Sequence, residues 1–209
     1  MDNKSAMKNS KKKVEERKLT LEGGFTITPG IPQGVYTEAE LSDLQAKNPE
    51  KDLAKYINAT CGPLLKNRIV TVGKQELLNV AFETGGGVVF NFMAVGDGGY
   101  DFGLDARKFP QNSDTALFHQ VGNAQEILSF GAVTGDPIVG FTKVLSSTFF
   151  SEDYAESDFL TQNQDDFFLN EVSVQTENAV MFSHITFPNF PFNPADQLAL
   201  TIQWYIRIL

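Results

Sequence analysis

The sequence contains few of the residues on which most catalytic and metal centres depend. Its 209 residues include one cysteine, Cys61, and only two histidines, His119 and His184. A single cysteine excludes an intrachain disulfide and a cysteine metal cluster, so we expect Cys61 to be a buried bystander. A catalytic triad or a histidine-rich metal centre would have to use one of the two histidines, and for both we favour an ordinary hydrogen-bonded role.

Long apolar runs and familiar catalytic motifs are also missing. No stretch approaches the ~18–20 apolar residues of a membrane span, and the lysine-containing start has no apolar core, so we expect neither a membrane anchor nor a secretory signal. The Gly73-Lys74 pair lacks the other residues of a phosphate-binding P-loop, and no Gly-x-Ser-x-Gly or His-Glu-x-x-His segment occurs. These familiar catalytic patterns are therefore absent from the sequence, and we predict that the chain binds no cofactor.

The charge is distributed unevenly along the chain. The formal net charge is −9, but residues 1–18 carry seven basic and three acidic groups, a net of +4 that leaves −13 for the remainder. A body this acidic repels phosphate backbones, which argues against nucleic-acid binding by the folded part. We predict that residues 1–22, with Lys11, Lys12 and Lys13, form a basic flexible arm, which either orders against an acidic neighbouring subunit or never orders.

Residues 23–62 are predicted to be a linker followed by short helices. The segment LEGGFTITPGIPQG is rich in glycine and proline, which indicates an extended linker outside the core. Thr37 and Glu40 match a capping box, which predicts a helix over about 37–47. The spacing of Leu53, Tyr56 and Ile57 predicts a second helix within 50–58. A third helix is predicted within 63–84, with an apolar stripe of Leu77, Leu78 and Ala81.

From about residue 87 onward the apolar period changes from 3.6 to 2. The clearest example is the last segment, in which alternate residues from Leu198 to Ile208, including Trp204, are apolar. This pattern predicts a long strand with one buried and one solvated face. Further strands are predicted at 87–95, 139–150, 168–174 and 178–187, and the proline-rich segment PNFPFNP after them predicts a stiff, extended connection.

The predicted fold is mainly β. About six to eight strands, with 18 phenylalanines to fill a core, are expected to form an antiparallel β-sandwich or jelly roll over residues 63–209, with one packing helix. The short helical part and the extended arm precede this domain.

The glycine-rich segment AVGDGGYDFGLD, residues 94–105, was the first candidate site. It lacks the ligand spacing of an EF-hand, and the residues after it do not resemble the helix of a dinucleotide-binding fold. Asp97 and Asp101 remain weak candidates for an irregular calcium site; otherwise we predict no metal. We expect Gly96, Gly98 and Gly99 to end a core strand and reverse the chain.

The second candidate is an acidic segment at residues 151–166. It contains six carboxylates and no basic residue, and these carboxylates are Glu152, Asp153, Glu156, Asp158, Asp165 and Asp166. A glycosidase would need two of them at a defined separation, but nothing in the sequence brings two together. We favour a solvated loop that faces a basic partner.

Several segments, taken in order, resemble a family of tailed-bacteriophage structural proteins. They are LLKNRIVTVGKQELLNVAFE, FNFMAVGDGG, PQNSDTAL, LNEVSV, MFSHITFP and LTIQWYIRI. The family comprises small virion proteins and the N-terminal domains of tail-collar fibres, and the similarity covers about 63–208. Ser173 and Val174 stand where the family has Gly-Leu.

The resemblance implies a non-enzymatic virion protein, made in the host cytoplasm. It would act in the neck, tail or fibre-attachment region as a homo-oligomer that docks other virion proteins such as portal, adaptor, tail or fibre. It also implies that Asn170 and Glu171 tie loops to strands or subunit to subunit. A capsid decoration protein and a carbohydrate-binding module of a host-recognition fibre are the alternatives. The position of Trp204 on a core strand argues against the latter, because sugar stacking needs an exposed ring.

Overall fold

The computed structural model of the chain describes residues 21–58, 64–66, 68–69, 71, 73, 89–136 and 140–208. Within these residues there are fifteen β-strands and one α-helix described over its whole length, and Thr71 and Gly73 are also helical. The strands are β1 (Leu21–Pro29), β2 (Ile31–Pro32), β3 (Ile57–Asn58), β4 (Leu64–Lys66), β5 (Arg68–Ile69), β6 (Phe92–Gly96), β7 (Tyr100–Asp101), β8 (Ala106–Arg107), β9 (Gln125–Glu126), β10 (Ser129–Phe130), β11 (Thr134–Asp136), β12 (Gly140–Phe150), β13 (Phe168–Gln175), β14 (Met181–Pro191) and β15 (Ala199–Ile208). The helix is α1 (Glu38–Lys47), and single 3-10 turns occupy Leu53–Tyr56, Ser151–Asp153, Glu156–Asp158, Thr161–Asn163 and Pro194–Asp196.

Two antiparallel sheets contain most of the strands. The first sheet has the order β10-β12-β15-β1-β4, with β11 also paired to β12, and the second has the order β5-β14-β13-β6-β9. The predicted C-terminal strand is β15, which lies at the centre of the first sheet between β12 and β1. Two small sheets, β2 with β3 and β7 with β8, complete the described structure.

The two sheets pack face to face around one aromatic core. The rings of Trp204 in the first sheet and Phe182 in the second lie 5.1 Å apart, in an edge-to-face arrangement that aromatic pairs favour. Trp204 is only 3% exposed, and Phe25 packs beside it. These contacts confirm the predicted mainly β, antiparallel sandwich; the jelly-roll connectivity stays a prediction.

The prediction of a solvated face on β15 is wrong for the first half of the strand, whereas Arg207 near its end is exposed. Thr201 and Gln203, on the face opposite Trp204, are both buried. Residues 31–58, which include α1, form a second apolar cluster with Phe150 and Ala199. The Tyr36 hydroxyl bonds to the Thr148 hydroxyl at 2.8 Å, which bonds in turn to that of Thr201 at 2.9 Å. Alternation in a sequence identifies a polar face but cannot show which segment will cover it.

The predicted linker is also wrong, because its first part is β1. This strand pairs with β15 along its whole length, from Leu21 opposite Ile208 to Pro29 opposite Leu200. Phe25 and Ile27 enter the core, and the glycines and proline lie toward the ends of the strand. The glycine and proline content of this segment indicated a linker, although Phe25 and Ile27 form a short apolar alternation. Pairing with β15 stabilises it as a strand.

The helix predictions had mixed outcomes. The helix predicted at 37–47 is confirmed as α1, with the Thr37–Glu40 capping box and Asn48 as its C-cap. The second predicted helix is wrong: Asp52 caps a single 3-10 turn, Leu53–Tyr56, and β3 follows at once. Within the segment of the third predicted helix, Leu64–Lys66 and Arg68–Ile69 are strands. Thr71 and Gly73, near the predicted start, are helical, while Leu77, Leu78 and Ala81 lie outside the described residues.

The later strand predictions are confirmed, with longer or shifted bounds. The segment 139–150 corresponds to β12, 168–174 to β13, and 87–95 overlaps β6. The proline-rich connection is extended, but its first part belongs to β14, where Phe190 and Pro191 pair with Leu169 and Phe168. These pairs lie at the end of the strand, where a missing N–H donor is tolerated.

Candidate functional site: a histidine–carboxylate network

The candidate site lies on the outer face of the second sheet, where residues 97–119 cover β13 and β14. The register between β13 and β14 shifts between the pairs Leu169–Phe190 and Glu171–Thr186, with the extra residues on β14. Leu169 and Val172, on either side of this shift, both belong to the core. Glu171 lies opposite Thr186 and Gly96 in the sheet, and its side chain bonds to the covering loop. A simple alternation does not describe β13, because its pairing with β14 is irregular at this point.

Glu171 is the centre of the site. Its carboxylate is fully buried, yet it accepts four hydrogen bonds. One oxygen, Oε1, accepts the backbone N–H groups of Gly98 at 3.0 Å and His119 at 2.8 Å. The other, Oε2, accepts the N–H of Phe118 at 2.9 Å and lies 3.0 Å from Nε2 of His184. A buried carboxylate is costly unless it is satisfied in this way.

His184 connects Glu171 to a second carboxylate. Its ring is fully buried in β14, and its Nδ1 atom lies 3.1 Å from Oδ2 of Asp114. The same oxygen of Asp114 accepts the N–H of Gln111 at 2.8 Å. Each ring nitrogen therefore faces a carboxylate oxygen, so His184 bridges Glu171 and Asp114.

The second histidine makes a parallel contact with Asp97. Nδ1 of His119 lies 2.6 Å from Oδ1 of this buried aspartate. The other oxygen, Oδ2, accepts the N–H of Leu160 and the side-chain amide of Asn163, both at 2.8 Å. Asp97 thereby joins residues 97–119 to the acidic segment 151–166.

Asn170 completes the attachment of the glycine segment. Its Oδ1 atom accepts the N–H of Gly99 at 2.6 Å, and its amide donates to Oδ1 of Asn189 at 3.2 Å. A Cβ atom added at Gly98 would lie 2.5 Å from the His119 nitrogen, and one at Gly99 would lie 2.7 Å from the Asn170 carbonyl oxygen. Close backbone approach therefore requires these two glycines.

Lys108 and Thr186 fix the distal part of the covering loop. The Lys108 ammonium donates to the Gly98 carbonyl at 2.7 Å, and the Thr186 hydroxyl donates to the Lys108 carbonyl at 2.6 Å. The anchored loop carries four exposed large apolar side chains, namely Phe102, Leu104, Phe109 and Phe118. Arg107 lies over the Phe109 ring and Lys108 over the Phe118 ring, at 5.7 and 5.1 Å.

The acidic segment forms a separate contact with residues 50–56. Lys51, although buried, donates to Oδ1 of Asp153 at 2.6 Å and to Oε1 of Glu50 at 3.1 Å. Burial by itself would lower the pKa of Lys51, but these hydrogen bonds raise it overall. The Tyr56 hydroxyl donates to Glu152 at 2.9 Å, and burial together with this bond raises the pKa of Tyr56 to about 12. These groups line a surface cavity of about 370 Å³.

The other predicted site residues are dispersed. Gly96 ends β6 beside Glu171, as the register places it. Asp101, a weak calcium candidate, accepts the N–H groups of Gly103 and Leu104 within its own turn, while both carboxylate oxygens of Asp97 also accept N–H groups. Trp204 lies in the core, away from this network, and Lys11, Lys12 and Lys13 lie outside the described residues.

Sequence reasoning found Asn170, Glu171 and the glycines but missed their partners. Asp114, His119 and His184 are separated by up to 70 residues, and no spacing rule connects them. The only available signal was that both histidines and several carboxylates fall in or beside predicted strands.

The hydrogen bonds of this network attach a loop, residues 97–119, to the second sheet. In the part of the chain that the structure describes, the side chain of His119 bonds to Asp97 and to no serine, threonine or cysteine. Among the same residues, no group of three or more His, Cys, Asp or Glu side chains is arranged to hold a metal ion, and no helix is long and apolar enough to cross a membrane. Comparisons with protein-family models, curated proteins and solved structures found no match for this chain.

Proposed function

We propose that this chain is a non-enzymatic virion structural protein of the neck, tail or fibre-attachment region. It acts by homo-oligomeric assembly and by docking other virion proteins. The observation that carries the proposal is the use of the buried charged groups. Hydrogen bonds of three buried side chains attach residues 97–119 to the sandwich, namely those of Glu171, His184 and Asp97. The attached loop exposes apolar side chains to solvent.

The energetics of the loop favour a docking role. Exposed apolar side chains are unfavourable in water unless a partner covers them. Because the loop is already held rigidly, binding a partner would cost less conformational entropy. Leu104 is 76% exposed and Phe109 is 68% exposed. Three bonds to Glu171 and one to Asn170 hold the backbone that presents them.

A carbohydrate-binding fibre module is the second candidate, because Phe102 and Phe109 are exposed and could stack on sugar rings. The burial of Trp204 removes the strongest stacking group from consideration. A glycan array separates the two: specific binding that Phe109→Ala abolishes would favour the fibre module. A capsid decoration protein is the alternative within the virion class, and the position of the protein in the particle distinguishes it.

The proposal is tested on purified particles and on the purified protein together. Mass spectrometry of virus particles is expected to detect this chain at a fixed copy number, and light scattering of the full chain is expected to give a mass above that of the 23.1 kDa protomer. A protein that is strictly monomeric and absent from particles would refute the structural role.

A further inference from the structure

The sandwich has two unlike ends, which the strand register defines. The loop end contains Phe150, Ala199 and the first residue of β13, Phe168, together with the acidic segment 151–166. The far end contains Ile208, which lies in register between Leu21 of β1 and Phe141 of β12. The basic segment 1–20 joins the sheet at Leu21, so it enters at the far end.

The loop end is acidic and partly apolar. Glu156, Asp165 and Asp166 are exposed there. Phe102 is 46% exposed, and its ring lies 6.2 Å from that of Phe168, directly after these aspartates. Lys51 is already bound to Asp153 and does not neutralise the three exposed carboxylates.

The far end also has exposed apolar side chains, and the segment that begins there is basic. Three exposed apolar side chains lie there, near the paired ends of β11, β12 and β15: Val133, Phe141 and Ile208. The segment that enters at this end carries seven basic groups against three acidic ones in its first 18 residues. The loop end therefore combines an apolar patch with negative charge. The far end combines an apolar patch with the positively charged segment that begins there.

The reach of the basic segment favours a neighbouring molecule over its own loop end. The nine residues of β1 separate the two ends by about 26 Å. Lys11, Lys12 and Lys13 lie eight to ten residues before Leu21, a distance of about 26–36 Å when fully extended. They would reach their own acidic end only as an almost straight chain, whereas a copy stacked on the far end presents its acidic residues beside Leu21.

We propose that copies of this chain associate head to tail, with the basic N-terminal segment of one copy bound to the acidic loop end of the next. The contact is heterologous, because the two surfaces differ, and repetition gives a ring if it closes or a filament if it does not. This inference rests on the proposed structural role and specifies its assembly mode.

The test uses two full-length variants, each with one neutralised surface. One carries Lys11→Gln, Lys12→Gln and Lys13→Gln. The other carries Glu156→Gln, Asp165→Asn and Asp166→Asn, three exposed positions outside the buried network. Sedimentation velocity at low salt is expected to show that each variant self-associates about ten-fold more weakly than the unchanged chain, as expected for the loss of three exposed charge pairs.

Mixing the two variants provides the decisive measurement. Each retains the surface that the other lacks, so a head-to-tail contact predicts a 1:1 dimer in the mixture that grows no further. A control with Glu38→Gln, Asp43→Asn and Glu126→Gln has the same charge change as the acidic variant, at exposed positions on the flank, and is expected to assemble like the unchanged chain.

The contrary results are also distinct. Variants that assemble as well as the unchanged chain, or a mixture that forms no dimer, would overturn head-to-tail docking while leaving the structural role intact. An unchanged chain that stays monomeric would also overturn it, and detection in purified particles would then decide the structural role separately.

Discussion

Glu171 shows how a single buried charge can organise a loop. Its two oxygens bond to three backbone N–H groups and to His184 in a position that is closed to water. Such a carboxylate contributes little net stability by being buried, but removing its charge leaves several donors unsatisfied. Even an isosteric replacement at this position is therefore expected to be destabilising.

Replacement of this carboxylate tests the residue-scale role. Glu171→Gln is expected to lower the free energy of unfolding by about 3 kcal/mol, because the new amide group cannot accept the bonds that one oxygen accepted. Urea unfolding followed by circular dichroism measures the loss. Glu177→Gln, at an exposed position in the turn after β13, is the matched control and should change it by less than about 0.5 kcal/mol. Equal stabilities of the two variants would contradict the role of Glu171.

At the scale of elements, residues 31–58 convert one face of the first sheet into an interior. Their apolar side chains, including Tyr36 and Leu44, pack with Phe150 and Ala199. Lys51 fixes the end of this segment to the turn at Ser151–Asp153. The segment thus has its own small core and one buried ionic attachment.

This attachment gives a pH-dependent contribution to stability. The pKa of Lys51 is raised above its ordinary value of 10.5, so folding favours the protonated form. Its contribution is therefore complete below about pH 10.5 and is lost as the pH rises through the folded value. Lys51→Met is expected to cost about 2 kcal/mol at neutral pH, and the difference from the unchanged chain should shrink above pH 10.5 in urea unfolding series.

The matched control is Lys55→Met, since Lys55 lines the same cavity but is exposed. A stability difference for Lys51→Met that stays constant from neutral pH to about pH 12 would show that packing against Phe150, and not the charge, accounts for the effect.

At the scale of the whole molecule, the core of the sandwich is buried between the two sheets, and its two ends differ from each other. The middle contains the aromatic core around Trp204, and exposed apolar side chains lie at both ends. Under the proposed function, these end surfaces are the ones that would bind partners.

The single tryptophan reports on this closure. Because Trp204 is 3% exposed between Phe25 and Phe182, the folded protein is expected to show blue-shifted emission and weak acrylamide quenching. Urea should abolish both in one transition that coincides with the loss of circular dichroism. Solvent-like emission from the folded protein would contradict the packing of the two sheets, and N-acetyl-tryptophanamide gives the reference value.

The class of fold and the local structural signals could be predicted from the sequence alone. Alternating apolar residues identified β15, β12 and β13, and the Thr37–Glu40 capping box identified α1, because these features depend on neighbours a few residues apart. It also indicated Asn170, Glu171 and the glycines as important positions.

Which faces are covered and which charges meet depends on the tertiary structure. The segment at 21–29 reads as a linker until β15 supplies its hydrogen-bonding partner, and Glu171 reads as a solvated side chain until residues 97–119 cover it. His184 brings Glu171 together with the distant Asp114, since a buried charge selects its partners by proximity in space and not by spacing along the chain.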